Sequence, residues 1–439
     1  MTSVRKTRVA TSAIAVVLGM FTGGVVSANA ADLGGNCCAD LEERIAELEA
    51  TTARKGNRKV SLTVSGWVNE EVMFWDDGVE SNAYIGTNSL EQSRFQFVGE
   101  AKIADGWTAG YTLQIGTNTH ASNQWDQTTP SGTGSTQTDN TLVVRRSNWW
   151  IKNKDLGKLT VGLDGSATYH LLDEADGTNT RNYSDAEAAS VAMGRFQLRA
   201  AGASVNGRRW GDVERGFNNG TPGQDGRRNV VRYDSPAIKG FVATAAWGVD
   251  DLWDVALTYK DKLGDFNVVV RGGYGEGTDE VNTACHASGK QLKCEGWGVA
   301  GTVMHEPTGL YAYAGYGHQH DNRGTDPAVK NPVDSSDSMW FIQAGIERKF
   351  IPLGKSTIFG EFRHDDPGSN VAADPGPGTY ILGSSLDFWA AGVVQNIDAA
   401  SMDLYLIYRH SDGDLTSNTN VNINLDAFDA VLAGARITF

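Results

Sequence analysis

The sequence predicts an all-β fold: a sixteen-stranded antiparallel transmembrane β-barrel, with a long third loop folded into its lumen and a short helix ahead of the first strand. Three observations carry that expectation. From residue 60 onward, apolar and polar residues alternate in runs of about ten, as in a strand with one apolar face. The connectors alternate between tight turns and long loops, which gathers the turns at one end of the sheet and the loops at the other. The composition also suits sheet: 52 Gly against 10 Pro, with 12 Trp, 13 Tyr and 15 Phe.

The chain opens on a targeting segment. Arg5, Lys6 and Arg8 precede an apolar stretch over 9–26, and Ala28-Asn29-Ala30 is a small-residue cleavage signal. Residues 1–30 therefore read as a signal peptide, with the mature chain beginning at Ala31. Beyond it no apolar run is long enough to span a bilayer as a helix, and mean hydropathy is −0.34. The formal net charge of −15 disfavours nucleic acid as a partner, because that requires a basic surface. Export implies an oxidising compartment. Cys285 and Cys294, in a polar stretch between two strand patterns, are expected to close one loop as a disulfide. Cys37 and Cys38 are adjacent, and so are better placed to bridge chains than to pair with each other.

Residues 31–59 form an N-terminal segment of their own. In DLEERIAELEATT the residues Leu41, Ile45 and Leu48 recur at spacings of four and three, the seam of a coiled coil. The stretch is too short to be stable alone, so a trimeric seam and a frayed amphipathic helix both remain open. A basic linker, RKGNRK, leads to the barrel segment, 60–439. Period-two runs cover 60–69, 94–104, 107–117, 141–153, 158–164, 229–233, 241–247, 254–260, 266–274, 297–305, 310–318, 339–350, 355–362, 386–397, 401–410 and 426–439. In a representative run, Phe95, Phe97, Ala101 and Ile103 alternate with Arg94, Gln96, Glu100 and Lys102. A soluble sandwich turns such an apolar face inward, whereas a membrane barrel turns it to lipid and lines water with the other. Export, the even strand number, aromatics near strand ends (Trp75, Trp107, Trp247, Trp297, Trp340) and a last strand ending on Phe439 favour the barrel. Glu70 and Asp429 interrupt apolar faces and are expected near strand ends or at a subunit contact.

The alternation lapses across 165–228. A segment this long inside a compact fold usually carries function, although a solvated surface insert is the alternative. Its acids, Asp173, Glu174, Asp176, Asp185 and Glu187, come early, and its arginines, Arg195 and Arg199 among them, come late. A sixteen-stranded barrel leaves an aqueous channel, and this segment is long enough to reach its middle and return. Such a passage selects solutes by diameter and by fixed charge. The basic wall residues expected to line it are Arg94, Lys102, Arg145 or Arg146, Arg232, Arg271, Arg409 and Arg436. Adjacent Arg145 and Arg146 point to opposite faces of a regular strand, so both can line the lumen only across a bulge.

No G-x-S-x-G elbow or other catalytic motif stands out, so enzymatic activity is not expected. His318 and His320 lack a third metal ligand in sequence. The run Gly272-Gly273-Tyr274-Gly275-Glu276-Gly277 does not open a helix and fails as a nucleotide loop. Asp412-Gly413-Asp414 and the stretch 365–370 are loop candidates for Ca²⁺; no other cofactor is implied.

The stretch CCADLEERIAELEATTARKGNRKVSLTVSGWV (37–68), together with the terminal Phe439, resembles the porins of alphaproteobacteria, rhizobial relatives especially. The resemblance covers the mature chain. It implies a homotrimer of sixteen-stranded barrels in the outer membrane, in contact with its lipid and lipopolysaccharide. It also implies passive diffusion of ions and small hydrophilic solutes past a third loop folded into the lumen, and a periplasmic place for 31–59. Porins of this group often begin with Ala-Asp after cleavage, an end that can be joined to peptidoglycan; Ala31-Asp32 matches. A solute-specific channel and a surface β-protein or adhesin without a conducting pore are the alternatives.

Overall fold

The computed structural model describes residues 59–118, 120–128, 141–181, 183, 193–213, 226–248, 251–277, 294–321, 336–366, 381–417 and 421–439. The expected signal peptide, Ala31, the expected helix over 40–52, Cys37, Cys38, Asp185, Glu187 and Cys285 lie outside these residues, and so do the expected disulfide and coiled-coil seam.

In chain order the strands are β1 (Ser61–Asp76), β2 (Ser81–Thr87), β3 (Arg94–Ala104), β4 (Trp107–Asn118), β5 (Thr141–Asn153), β6 (Gly157–Gly165), β7 (Gln197–Ala200), β8 (Ala203–Arg209), β9 (Arg227–Asp234) and β10 (Phe241–Gly248). There follow β11 (Trp253–Leu263), β12 (Phe266–Gly277), β13 (Cys294–His305), β14 (Leu310–Asp321), β15 (Ser336–Ile351), β16 (Gly354–Asp366), β17 (Ile381–Ile397), β18 (Met402–Ser417), β19 (Asn422–Asn424) and β20 (Phe428–Thr438). Without β2, β7, β8 and β19, the strands form one antiparallel ring. It runs β1-β3-β4-β5-β6-β9, continues in sequence from β10 to β18, and returns to β1 through β20. That makes the closed sixteen-stranded barrel the sequence predicts. Closure is by β20 on β1, from Trp67 opposite Thr438 to Asp76 opposite Asp429, and Phe439 and Gly66 exchange backbone hydrogen bonds of 2.9 and 3.0 Å. A closed ladder leaves no edge to desolvate in lipid.

Alternation decides which face meets the membrane. On β16, Thr357, Phe359, Glu361, Arg363 and Asp365 are buried while Ile358 is exposed between them. Around the barrel, Val255, Leu257, Val299, Val303 and Ile342 stay exposed on the outside, as do Trp107, Trp247, Trp297 and Trp340. Trp75 departs from the expected aromatic belt: it is 1% exposed and turns inward. Its neighbours there are aromatic, as described below.

Each of the sixteen predicted runs falls on a barrel strand, and β3 and β5 have the expected bounds. The strands outrun the predictions at the long-loop end, where β1 continues to Asp76, β18 to Ser417 and β17 begins at Ile381. There the outer face carries Asp387, Asp412 and Asp429, so the hydrogen-bond ladder continues where apolar alternation has stopped. For the same reason Asp412-Gly413-Asp414 is strand rather than a cation-binding loop. Asp365, from the second Ca²⁺ candidate, pairs with Arg363 at 2.5 Å on β16. Glu70 is not at a strand end. It lies in the middle of β1, where the Thr87 and Ser93 hydroxyls donate to it at 3.0 and 3.2 Å. Asp429 is at its strand's end, accepting from Tyr408 at 2.7 Å.

Candidate functional site

The 165–228 insert leaves the wall at Gly165 on β6 and rejoins it at Arg227 on the adjacent β9; the two residues face each other in register. Its first limb then passes along the inner side of the wall strand by strand. Asp254 on β11 accepts from the backbone of Ala167 and Thr168 at 3.0 and 2.7 Å, and from the Thr168 hydroxyl at 2.8 Å. On β12, Arg271 donates to the Ala167 carbonyl at 2.8 Å and is ion-paired with Glu174. Tyr313 on β14 donates to the Leu172 carbonyl at 3.0 Å, and Thr302 on β13 to the Ala175 carbonyl at 2.7 Å. The Thr180 hydroxyl reaches Gln343 on β15 at 2.9 Å, and the Asn179 amide reaches Glu347 at 2.8 Å. Leu171 and Leu172 lie flat on the wall because Gly273 and Gly298 have no side chain there; a Cβ at either would stand 3.0 or 2.9 Å from a leucine methyl.

The second limb meets the opposite wall through apolar side chains. Tyr183, Met193, Phe196, Leu198, Trp210 and Val213 share one buried cluster with Met73 and Trp75 of β1, Phe388 of β17, Ile407 of β18 and Phe428 of β20. Phe196 is its centre, 5.0 Å from the Trp75 ring and 4.8 Å from Phe428. Aromatic pairs at such separations contribute about 0.5–1.5 kcal/mol beyond their buried area. The β7–β8 hairpin is tied down at its margin, where Arg199 pairs with Asp77 at 3.0 Å and Glu80 at 2.8 Å.

The residues named from sequence separate into groups. Arg94, Arg145 and Arg146 stand together with Arg227 at the corner where β3, β5 and β9 meet the start of the insert. A bulge makes this possible: Gln114 pairs with Arg146 and Ile115 with Val144, leaving Arg145 as the extra residue. Arg94 stacks 4.6 Å over Trp67 and pairs with Glu91 at 3.1 Å. Arg146 pairs with Asp164 at 3.1 Å. Arg145, 8% exposed, is bonded to the Gln92 amide oxygen, and its Nε meets no partner among the described residues. Arg232 supports the insert's departure, donating to the Gly165 and Ser166 carbonyls at 3.2 and 3.3 Å. Arg409 pairs with Glu361 at 3.1 Å and Arg436 with Asp403 at 3.3 Å on the far wall. Lys102 is an exposed side chain that pairs with Asp105 of the short turn after β3. Arg195 is half-buried on the second limb.

The loop acids differ from one another more than sequence suggests. Asp173 is buried, 2.6 Å from His170 Nδ1 and 3.5 Å from Arg181. Burial works to raise its carboxyl, but His170 and Arg181 outweigh burial and hold it below the usual range. Asp176 is also buried, and burial pushes it up to about 6 against its hydrogen bonds from Thr178 and Thr180. Glu174 keeps a half-open side chain, 41% exposed, beside Arg271.

Sequence reading missed Tyr169. It is 4% exposed, its hydroxyl accepts from Arg227 at 2.8 Å, and the Arg227 guanidinium lies 5.6 Å from its ring centre. Nothing in the local pattern marks it, because its neighbours Arg94, Arg145 and Arg227 come from distant parts of the chain.

A model of the Gram-negative porin family matches residues 10–427. No curated protein matches the chain. Among solved structures, the barrel is similar to an anion-selective porin from Comamonas acidovorans (TM-score 0.57, 14% identity), over 87% of this chain and 100% of that one. It is also similar to OmpF of Salmonella typhi (TM-score 0.53, 13% identity), over 87% and 98%. A third likeness is to the trimer form of OmpT, an outer membrane protein of Vibrio cholerae (TM-score 0.52, 13% identity), over 87% and 99%.

Proposed function

The chain belongs to the Gram-negative porin family and is an outer-membrane channel protein, and from that premise we propose that it is a general diffusion porin whose 165–228 insert sets the neck of the passage. The observation that carries the proposal is the insert's route. Hydrogen bonds and ion pairs fix its first limb to β11, β12, β13, β14 and β15, and an aromatic cluster fixes its second limb to β1, β17, β18 and β20. A segment secured on both sides of a lumen narrows it without closing it. Charge on the neck is uneven: the β3–β5–β9 corner is basic, and Glu174 supplies an acid on the first limb. Solutes small enough to pass are sorted by size and then by charge.

The leader is removed after Ala30, and 31–59 is periplasmic, its Leu41-Ile45-Leu48 seam joining three copies. Ala31 is the point of attachment to peptidoglycan, and Cys285 is joined to Cys294. The kinship is with alphaproteobacterial porins, on the 37–68 stretch. The homotrimer is supported by the trimer form of the Vibrio neighbour.

Reconstitution in planar bilayers and in liposomes tests the function. A general porin gives stable ohmic steps, and sugar permeation rates that fall smoothly with size and do not saturate. Block by one solute at low concentration would instead make it a solute-specific channel. Absence of any conductance would refute a pore.

A further inference from the structure

The arginine corner contains a residue that the channel reading has not used. Tyr169 is seated among Arg94 from β3, Arg145 from β5 and Arg227 from β9, with His170 next to it on the insert. Glu91 and Arg146 also act on this corner, with Asp164 paired to Arg146 and Asp173 paired to His170. The Tyr169 hydroxyl accepts a 2.8 Å hydrogen bond from Arg227, and its ring is perpendicular to His170 at 3.9 Å. An ionisable acid has thus been placed where cations outnumber carboxylates, in a site water scarcely reaches.

We propose that Tyr169 is a specificity-determining residue of the passage: by releasing its phenolic proton to the aqueous lumen it adds a negative charge to the arginine corner and weakens the pull on anions. This rests on the reading of the protein as a conducting channel. Two opposing effects set where the proton leaves. Burial raises the phenol, and His170, Arg227, Arg145 and Arg94 outweigh burial and bring it down to about 8, within the range outer membranes meet. Below that value the corner carries its full positive charge; above it, the phenolate offsets one cation. His170 is coupled to it: burial disfavours the charged imidazole, but Asp173 and Tyr169 hold it up at about 9.

The test uses the full-length protein and the variants Y169F and H170Q. Phe keeps the ring under Arg227 and removes only the ionisable group. Phenolate absorbance in the near ultraviolet should show one tyrosine of the wild type ionising near pH 8, and Y169F should lack it. In H170Q the same ionisation should move upward, because a neighbouring cation has gone. Reversal potentials in a salt gradient, at low ionic strength, should shift away from anion preference across that interval in the wild type and stay level in Y169F. Identical titrations, or equal pH shifts in wild type and Y169F, would overturn the proposal. A wild type that conducts with a reversal potential flat in pH overturns this proposal alone, whereas one that never conducts overturns the channel reading as well.

Discussion

The two limbs of the insert are held to the barrel by different balances of polar and apolar contact. From Ala167 to Thr180 a small apolar patch (Ala167, Leu171, Leu172 and Ala175 with Val269, Ala300 and Phe341) is pinned by directional polar contacts: Asp254, Arg271, Thr302, Tyr313 and Gln343 each make a hydrogen bond at a fixed register. From Met193 to Val213 the contacts are mostly apolar, gathered round Phe196 and Trp75. Hydrogen bonds of this kind contribute modestly one at a time but tolerate little displacement, because a stranded donor is costly. Apolar clusters contribute more in total and adapt more readily to a change of shape. The first limb is therefore read as the part that fixes position, and the second as the part that supplies strength.

The largest effect expected from breaking this contrast is on the second limb. Phe196→Ala leaves a cavity between Trp75 and Phe428 and should cost about 3–5 kcal/mol of local stability. Amide hydrogen exchange should accelerate across β7 and β8 while 167–180 stays protected; equal loss in both limbs would mean that they act as one unit. A loss of similar size follows Asp254→Ala, which strands the Ala167 and Thr168 amides at about 1–3 kcal/mol for each buried donor left unpaired. Here the exchange pattern should invert, with 166–176 opening and Phe196 remaining protected.

The smallest effect is on pH dependence, and it belongs to the first limb alone. Asp176 is raised from 3.8 to about 6, so the folded limb binds its proton more tightly than the open one. Its contribution is fully present below the unfolded value and is lost as pH rises through about 6. His170 is raised from 6.5 to about 9, so its contribution is present below 6.5 and lost as pH rises through about 9. Tyr169, lowered from 10 to about 8, adds stability as pH rises through that range and works against the His170 loss, so exchange across 167–180 should quicken in two steps most clearly in a Tyr169→Phe background. Asp176→Asn should remove the lower step and His170→Gln the upper one. Neither step should be seen in the second limb.

The same contrast explains what could be read from sequence. The wall was legible because a barrel strand writes its environment as a period of two, as in Phe95 to Ile103 against Arg94 to Lys102. Of the short strands, β7 and β19 span too few residues to establish a period, and β2 (SNAYIGT) and β8 (ASVNGRR) do not alternate apolar with polar residues. Trp75 was misplaced because an aromatic near a strand end looks the same whether it turns to lipid or to an insert, and only Phe196 of the insert, packed against it, decides. The acids of the insert were legible as charges but not as environments: Asp173 and Asp176 are buried by partners three and four residues away in the same turn, whereas Glu174 between them stays half open. The bulge at Arg145 depends on the ladder with β4, a pairing that the local sequence does not display.

The central claim is that the insert, and not the wall, sets the size of the passage. It is tested most directly by single-channel conductance of the wild type and of a variant in which residues 178–209 are replaced by a short Gly-Ser linker. That exchange removes the Thr180 and Tyr183 contacts with Gln343 and Asp403, together with the aromatic cluster's share from Phe196, and leaves the sixteen wall strands intact. The account predicts larger conductance steps and entry of larger sugars, with insertion into the bilayer unchanged. Equal conductance and an equal size limit in the two proteins would place the neck elsewhere and contradict it.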